Sequence, residues 1–457
     1  MELIDSILSN INNVVWGPVM LALLLGTHIF LSFRLGWIQR FVFKGIRISV
    51  ERKREGDGDI SQFGSLMTAL AATIGTGNIV GVATAIAAGG PGAVFWMWIT
   101  GVFGIATKYS EALLSVKYRI TTKSGQMAGG PMYVLERGVK CRWLGILFAL
   151  FTAIAAFGIG NTVQSNSISH MLYESYSVPM WITGILLTIL TALVILGGIK
   201  SIARTCEKFV PIMSIVYIIG CIVRLCIHYQ NIIPAVVEIV TGAFNGQAAV
   251  GGFLGAGMKQ AMLYGVKRGL FSNESGMGSA PIVAAAARTK DPVRQALVSS
   301  TGTFWDTVVI CAVTGVTIVA SGAWTKGLNG AALTREAFTG LSWFGPAMLT
   351  FGLLTFVFST ILGWSYYGEK AAEYLFGQKV LLPYRLLWIA AVMIGAVVNV
   401  PIVWSFADIT NALMAIPNLI SLILLSGVIA AETKLYFSME KKKDTILSAH
   451  AEETKVF

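Results

Sequence analysis

The sequence predicts an all-α polytopic membrane protein of about eleven transmembrane helices, and three observations carry that prediction. The 457-residue chain is 55% hydrophobic but only 12% charged, and its uncharged stretches come close to the ~20 residues that a helix needs to cross the hydrocarbon. Basic residues crowd into alternate loops between those stretches. The apolar run from Leu66 to Ala88, long enough to span, is interrupted by Ile74-Gly75-Thr76-Gly77-Asn78. Every backbone N–H and C=O in hydrocarbon needs a partner, so a broken helix survives only where protein or a water-filled cavity surrounds it.

The first apolar segment, 14–33, follows Glu2 and Asp5 and precedes Arg34, Arg40, Lys44, Arg47, Arg52, Lys53 and Arg54. That asymmetry places the N-terminus outside and this loop in the cytoplasm. It also argues against a cleaved signal peptide, whose positive charge precedes its apolar core. Further spans are expected at 64–89, 91–116, 143–171, 180–198, 208–228, 246–285, 297–320, 345–374, 386–403 and 406–431. The loops then assigned to the cytoplasm hold Lys117, Arg119, Lys123, Arg137, Lys140 and Arg142, then Lys200, Arg204 and Lys208, then Arg288, Lys290 and Arg294, then Lys370, Lys379 and Arg385. Only Arg224, His228, Lys326 and Arg335 fall against this bias. The net charge of +11 is therefore a signal of topology and not of a nucleic-acid partner. The stretch after about Glu432 is expected to be a polar, disordered cytoplasmic tail, with Glu440 to Lys443 solvated.

A second interruption lies in the span 246–285, at Tyr264 to Pro281. Its four glycines, its proline and the charges of Lys267, Arg268 and Glu274 cannot face lipid. Each broken span heads a set of five, at 64–228 and 246–431, leaving residues 1–63 as an extra N-terminal helix with its basic loop and 432–457 as the tail. Five is odd, so the second set enters the membrane from the opposite face. That is the layout of an inverted repeat with substrate bound between the two breaks.

Other classes lack their residues. The five cysteines show no CxxC spacing and the four histidines are far apart, so no zinc or redox centre and no nucleophile–base cluster of an enzyme emerges. No Gly-x-x-x-x-Gly-Lys-Ser/Thr string is present for an ATP-driven pump. A channel would normally repeat pore motifs around a symmetric axis, and saturable, sodium-dependent uptake separates it from a gradient-driven transporter.

The strings GTGNIVGVATAIAAGGPGAVFWMW, GGPMYV, FGIGNTVQSNS and KRGLFSNESGMGSAP resemble the alanine or glycine:cation symporter family, also called sodium:amino acid symporters, and the likeness runs from about residue 14 to 432. The resemblance implies a leucine-transporter type five-plus-five fold in the cell membrane and sodium-coupled uptake of alanine or glycine, with sodium as co-transported ion and no enzymatic cofactor. It implies that the amides of Gly75, Thr76, Gly77 and Asn78 receive the substrate carboxylate at the positive end of the following half-helix. It further implies that the carbonyls of Ala71 and Ile74, the hydroxyl of Thr73 and the adjacent hydroxyls of Ser359 and Thr360 ligate sodium, and that Trp364, one turn further, closes a small pocket. Asn161 and Gln164, three apart on one helical face, are expected at the substrate amine or bonded to a neighbouring helix. Gly265 and Gly269 are expected to bracket the second unwound turn. Arg268, Glu274, Asp306, Glu111 and Asp408 are assigned to an ion-pair network or inner gate, with Glu111 three residues from Lys108. A proton-coupled or glutamine-preferring symporter, or a transporter-derived sensor, would use the same residues.

Overall fold

The lipid boundary is written in the outward-facing stripes of the peripheral helices. On the helix Met180–Ile195, Ile182, Ile185, Leu186, Ile189 and Leu193 are exposed while Thr183, Gly184, Leu187 and Thr191 are buried. Exposed apolar residues at helical spacing over small and polar buried ones are the inverse of a soluble helix, and fit a hydrocarbon surround. The structure, a computed structural model, describes residues 2–51, 56–244, 254–339, 344–398 and 401–453. The expected loop residues Arg52 to Arg54, the start of the span 246–285 and residues 399–400 of the span 386–403 lie outside the described residues.

In chain order the main helices are α1 (Glu2–Val15), α2 (Pro18–Arg34), α3 (Val42–Val50), α4 (Gln62–Thr73), α5 (Val82–Gly89), α6 (Gly92–Lys117), α7 (Arg142–Phe157), α8 (Val163–Tyr176), α9 (Met180–Ile195) and α10 (Gly198–Ile227). They continue as α11 (Ile232–Phe244), α12 (Leu254–Asn273), α13 (Pro292–Thr303), α14 (Ala312–Ala320), α15 (Gly330–Thr339), α16 (Phe344–Phe376), α17 (Leu381–Val397), α18 (Pro401–Leu424) and α19 (Ser426–Glu453). Wider π-helical turns at Gly77–Gly81, Gly158–Thr162 and Phe304–Cys311 join α4 to α5, α7 to α8 and α13 to α14. Two residue pairs, Ile120–Thr121 and Met127–Ala128, form a small antiparallel hairpin after α6.

Six helices among the described residues are long and apolar enough to cross a membrane alone, and eight if the bent pairs Pro18–Arg34 with Ile38–Val50 (71°) and Gln62–Thr73 with Gly77–Gly89 (53°) each count as one span. Three of the expected spans fall outside that count. Met180–Ile195 is apolar but short, Gly92–Lys117 carries Lys108 and Glu111, and Leu254–Asn273 carries Lys259, Lys267 and Arg268.

Two expectations fail here. The helix α12 runs unbroken through Gly265 and Gly269. A Cβ at Gly265 would stand 2.3 Å from the Ala93 carbonyl oxygen, and one at Gly269 2.2 Å from Thr100 Oγ1, so these glycines, four apart, let α12 lie against α6. The unwinding comes later, at 274–280, where Glu274, Gly276 and Gly278 take positive φ of 54°, 88° and 85°. The tail is also helical over its described residues, because α19 extends to Glu453. Its first turns are anchored by Lys117 to Glu432 at 2.6 Å, Tyr109 to Thr433 at 2.8 Å, the stack of Phe437 on Phe41 and the ion pair of Lys44 with Glu440.

Candidate functional site

The first break is built by a competition for one amide. In an uninterrupted helix the Gly75 N–H would donate to the Ala71 carbonyl; instead it donates to Asn78 Oδ1 at 2.9 Å. The last turn of α4 is thereby left with carbonyls lacking intrahelical donors. The helix α16 passes directly behind it. Gly363 allows this approach, since a Cβ there would stand 2.7 Å from Ala72 N.

Thr360 Oγ1 consequently lies 3.4 Å from the Ile74 carbonyl oxygen and donates to the Phe356 carbonyl at 2.9 Å, where Ser359 Oγ also donates at 2.9 Å. The structure thus brings Ile74, Ser359 and Thr360 together and adds the Phe356 carbonyl, which sequence reasoning missed. The available signal was the habit of Ser and Thr in helices of bonding the carbonyl three or four residues back. Ala71 is fully buried on the same turn. Thr73 is not drawn in: its hydroxyl bonds to Ala69 O at 3.2 Å, with no bond to α16 among the described residues.

Gln164 lies beside the first break. Its Nε2 donates to Ile159 O at 2.9 Å, while its Oε1 is buried without a partner, 3.8 Å from where a Gly75 Cβ would stand. Asn161 does not share that face, because its Nδ2 donates to the Trp388 carbonyl of α17 at 2.9 Å. The cause is the π turn Gly158–Thr162, whose wider pitch rotates residue 161 away from the face that three-residue spacing predicts. Thr76 and Gly77 are buried at the break.

Trp364 is buried with its Cβ against Gly160, where an added Cβ would clash at 2.1 Å. Its indole Nε1 donates to Glu274 Oε1 at 3.0 Å, and Glu274 also takes the Ser279 hydroxyl. The tryptophan therefore ties α16 to the second break.

Of the residues expected in an ion-pair network or inner gate, the carboxylates Glu111, Glu274 and Asp306 form hydrogen-bonded supports, while Asp408 faces the charges of Lys267 and Arg268. Glu111 Oε1 accepts from the amides of Gly276 and Gly278 at 3.0 Å each and from Asn418 Nδ2 at 2.7 Å. No ion pair joins it to Lys108 among the described residues. Asp306 accepts from Asn78 Nδ2 at 2.7 Å, Ser272 Oγ at 2.9 Å and Thr307 Oγ1 at 2.7 Å. One carboxylate thus holds the first break, α12 and the turn between α13 and α14 in register. Arg268 lies over Phe271, and Lys267 over Trp16, whose Nε1 donates to the Asp408 carbonyl at 3.0 Å.

A cavity of about 620 Å³, lined among others by Val80, Ile168, Met171, Leu353 and Val357, opens above the break between α8, α15 and the start of α16. Val80 follows Asn78 by two residues and Val357 precedes Thr360 by three, so the cavity is lined by neighbours of the site residues.

Two interrupted helices in a polytopic bundle, tied to each other through Asp306 and with freed backbone groups at the first, define a secondary transporter. The chain belongs to the sodium:alanine symporter family, which matches residues 1–449. The sodium/alanine symporter AgcS of Methanococcus maripaludis is 50% identical over 450 residues, covering 96% of this chain and 98% of that protein. An uncharacterised transporter of Haemophilus influenzae is also 50% identical, over 96% of this chain and 97% of its own. The probable sodium/glutamine symporter GlnT of Bacillus subtilis is 37% identical over 96% of this chain and 92% of its own. Among solved structures, MhsT in complex with L-phenylalanine superposes with a TM-score of 0.60 over 84% of this chain and 93% of that one at 14% identity. That likeness is one of fold, the leucine-transporter type.

Proposed function

We propose that this protein takes up alanine or glycine with sodium by alternating access across the cell membrane. Eleven spans carry it, an N-terminal helix followed by inverted halves at 64–228 and 246–431, with the N-terminus outside and the C-terminus in the cytoplasm. The observation that carries the reading is the convergence, at one helix break, of backbone amides, the unpartnered Gln164 oxygen and the Ile74, Phe356, Ser359 and Thr360 oxygens. A zwitterion needs donors at one end and an acceptor at the other. The amides of Thr76 and Gly77 suit the carboxylate, Gly75 N being held by Asn78, and Gln164 Oε1 suits the ammonium. The carbonyls of Ala71, Ile74 and Phe356 with the two hydroxyls form the hard oxygen set that sodium takes. Trp364 walls the pocket.

Sodium would draw α16 onto the broken end of α4, order the amides beside it and so raise substrate affinity; the substrate raises sodium affinity by the same factor. Uptake into proteoliposomes with independently set sodium and proton gradients, against a panel of neutral amino acids, tests the reading. Uptake that follows the proton gradient alone, or a preference for glutamine, selects the corresponding alternative, and binding without uptake selects the sensor. Replacing Gln164 with leucine removes the acceptor for the ammonium while keeping the volume. Half-maximal uptake should then require roughly tenfold to a hundredfold more alanine, the worth of a charged hydrogen bond, and an unchanged requirement would remove Gln164 from the pocket.

A further inference from the structure

On the face assigned above to the cytoplasm, the two broken helices are joined by their backbones. The segment 57–60, which leads into α4, pairs with 285–289, which follows the second break: Asp57 bridges Thr289 and Ile60 bridges Ala287. Asp59 N and Ile60 N donate to the Ala286 carbonyl at 2.8 and 3.2 Å, and Arg288 N donates to the Ile60 carbonyl at 2.8 Å. Gly58 permits the approach, since a Cβ there would stand 2.4 Å from Arg288 Cα.

Arg119, two residues past the end of α6, closes this clip. Its Nη1 donates to the carbonyls of Ala285 at 3.0 Å and Ala287 at 2.8 Å, and its Nη2 to those of Asp57 and Thr289 at 2.9 Å each. One planar guanidinium therefore binds carbonyls on both sides of the seam, a task for its fixed fork of donors that a lysine ammonium cannot reproduce.

We infer that this clip is the cytoplasmic gate, with Arg119 as its positioning residue, and that the gate opens by parting α4 from the segment after the second break, not by carrying both broken helices as one body. The inference rests on the alternating-access reading above. The helix α4 then acts as a lever of 12 residues. The gate sits at its N-terminal end, and the Ala71 and Ile74 carbonyls sit at its C-terminal end, where Thr360 meets Ile74. While a cation holds those carbonyls against α16 the far end cannot swing, so release of the ion and opening of the gate are one motion. A clip that moved as a rigid unit would provide no such coupling.

The test is a reversible cross-link. Antiparallel bridged residues have Cα atoms ~4.5–5.5 Å apart, within reach of a disulfide, so Asp57→Cys with Thr289→Cys can be oxidised across the seam in a chain carrying Cys141→Ser and Cys226→Ser, the two cysteines that are not buried. The oxidised protein should bind alanine in sodium yet take it up roughly tenfold or more slowly than after reduction, because opening of the inner face is a required step. Full-rate uptake by the cross-linked protein would overturn the inference by showing that the two helices travel together. Absence of sodium-dependent alanine binding in both redox states would instead fault the symporter reading on which it rests. Separately, Arg119→Gln should speed labelling of Cys206, buried beside Thr68 of α4, by a membrane-impermeant thiol reagent applied to the cytoplasmic face. Arg119→Lys should not restore protection, and labelling at the parental rate in Arg119→Gln would remove Arg119 from the gate.

Discussion

Replacing Ser359 and Thr360 together with alanine should raise the sodium concentration for half-maximal uptake by roughly tenfold to a hundredfold, taking the two lost oxygen ligands together as worth about 1.4–2.8 kcal/mol. Both hydroxyls are buried and meet at the Phe356 carbonyl, so neither can be replaced by bulk water. The geometry ranks the single changes. Only Thr360 lies at Ile74 O, so Thr360→Ala should carry most of the loss, Ser359→Ala less, and Thr360→Ser, which keeps the oxygen, little. Because ion and substrate affinities are linked, the double variant should look substrate-deficient at low sodium and recover as sodium rises. Uptake measured over a grid of sodium and alanine concentrations separates the cases. An unchanged sodium dependence with a lasting substrate defect would move these hydroxyls into the amino acid pocket.

The parts of this site that were readable in the sequence are those whose chemistry is local. Gly75, Gly77 and Asn78 sit inside hydrocarbon-length apolar sequence, and only a break explains them; Thr360 reaches Ile74 because helices of this length cross the membrane in fixed depth register. Within the second interruption, Tyr264 to Pro281, the unwound turn lies at 274–280 and not at Gly265 and Gly269, because glycines four apart serve packing as readily as unwinding. What separates Gly265 and Gly269 from Gly276 and Gly278 is a positive φ, which the sequence does not display. Of the two destinations open to Asn161, the bond to a neighbouring helix is the one observed, and the π turn that separates it from Gln164 carries no sequence mark. Glu111, expected in an ion-pair network or inner gate with Lys108 three residues away, takes as partners backbone amides 165 and 167 residues distant. The helical tail escaped notice because its anchors, Tyr109, Phe41 and Lys44, lie more than 300 residues before it.

Trp364→Ala should weaken alanine or glycine transport and admit longer neutral side chains, and Trp364→Phe should separate the two causes. The sequence reading treats Trp364 as a wall; the structure adds that its indole N–H satisfies Glu274 at the second break. Phenylalanine keeps most of the wall but leaves that buried carboxylate oxygen without a donor, a loss of about 1–3 kcal/mol, so it should lower turnover with little change in which amino acids compete. Alanine removes both, and a buried Trp→Ala change costs about 3–5 kcal/mol, so a fall in melting temperature should accompany the broadened substrate range. Gly160→Ala approaches the same residue from the opposite side, because its Cβ would stand 2.1 Å from that of Trp364 and must displace the ring. Competition of labelled alanine uptake by a ladder of neutral amino acids, run on variants that elute as folded protein, reads the outcome. If Trp364→Ala keeps the parental ladder, the ring is packing alone and pocket size is set elsewhere. If Gly160→Ala broadens the ladder as Trp364→Ala does, then substrate size is governed by how deeply one indole is seated between the π turn of α7–α8 and the second break.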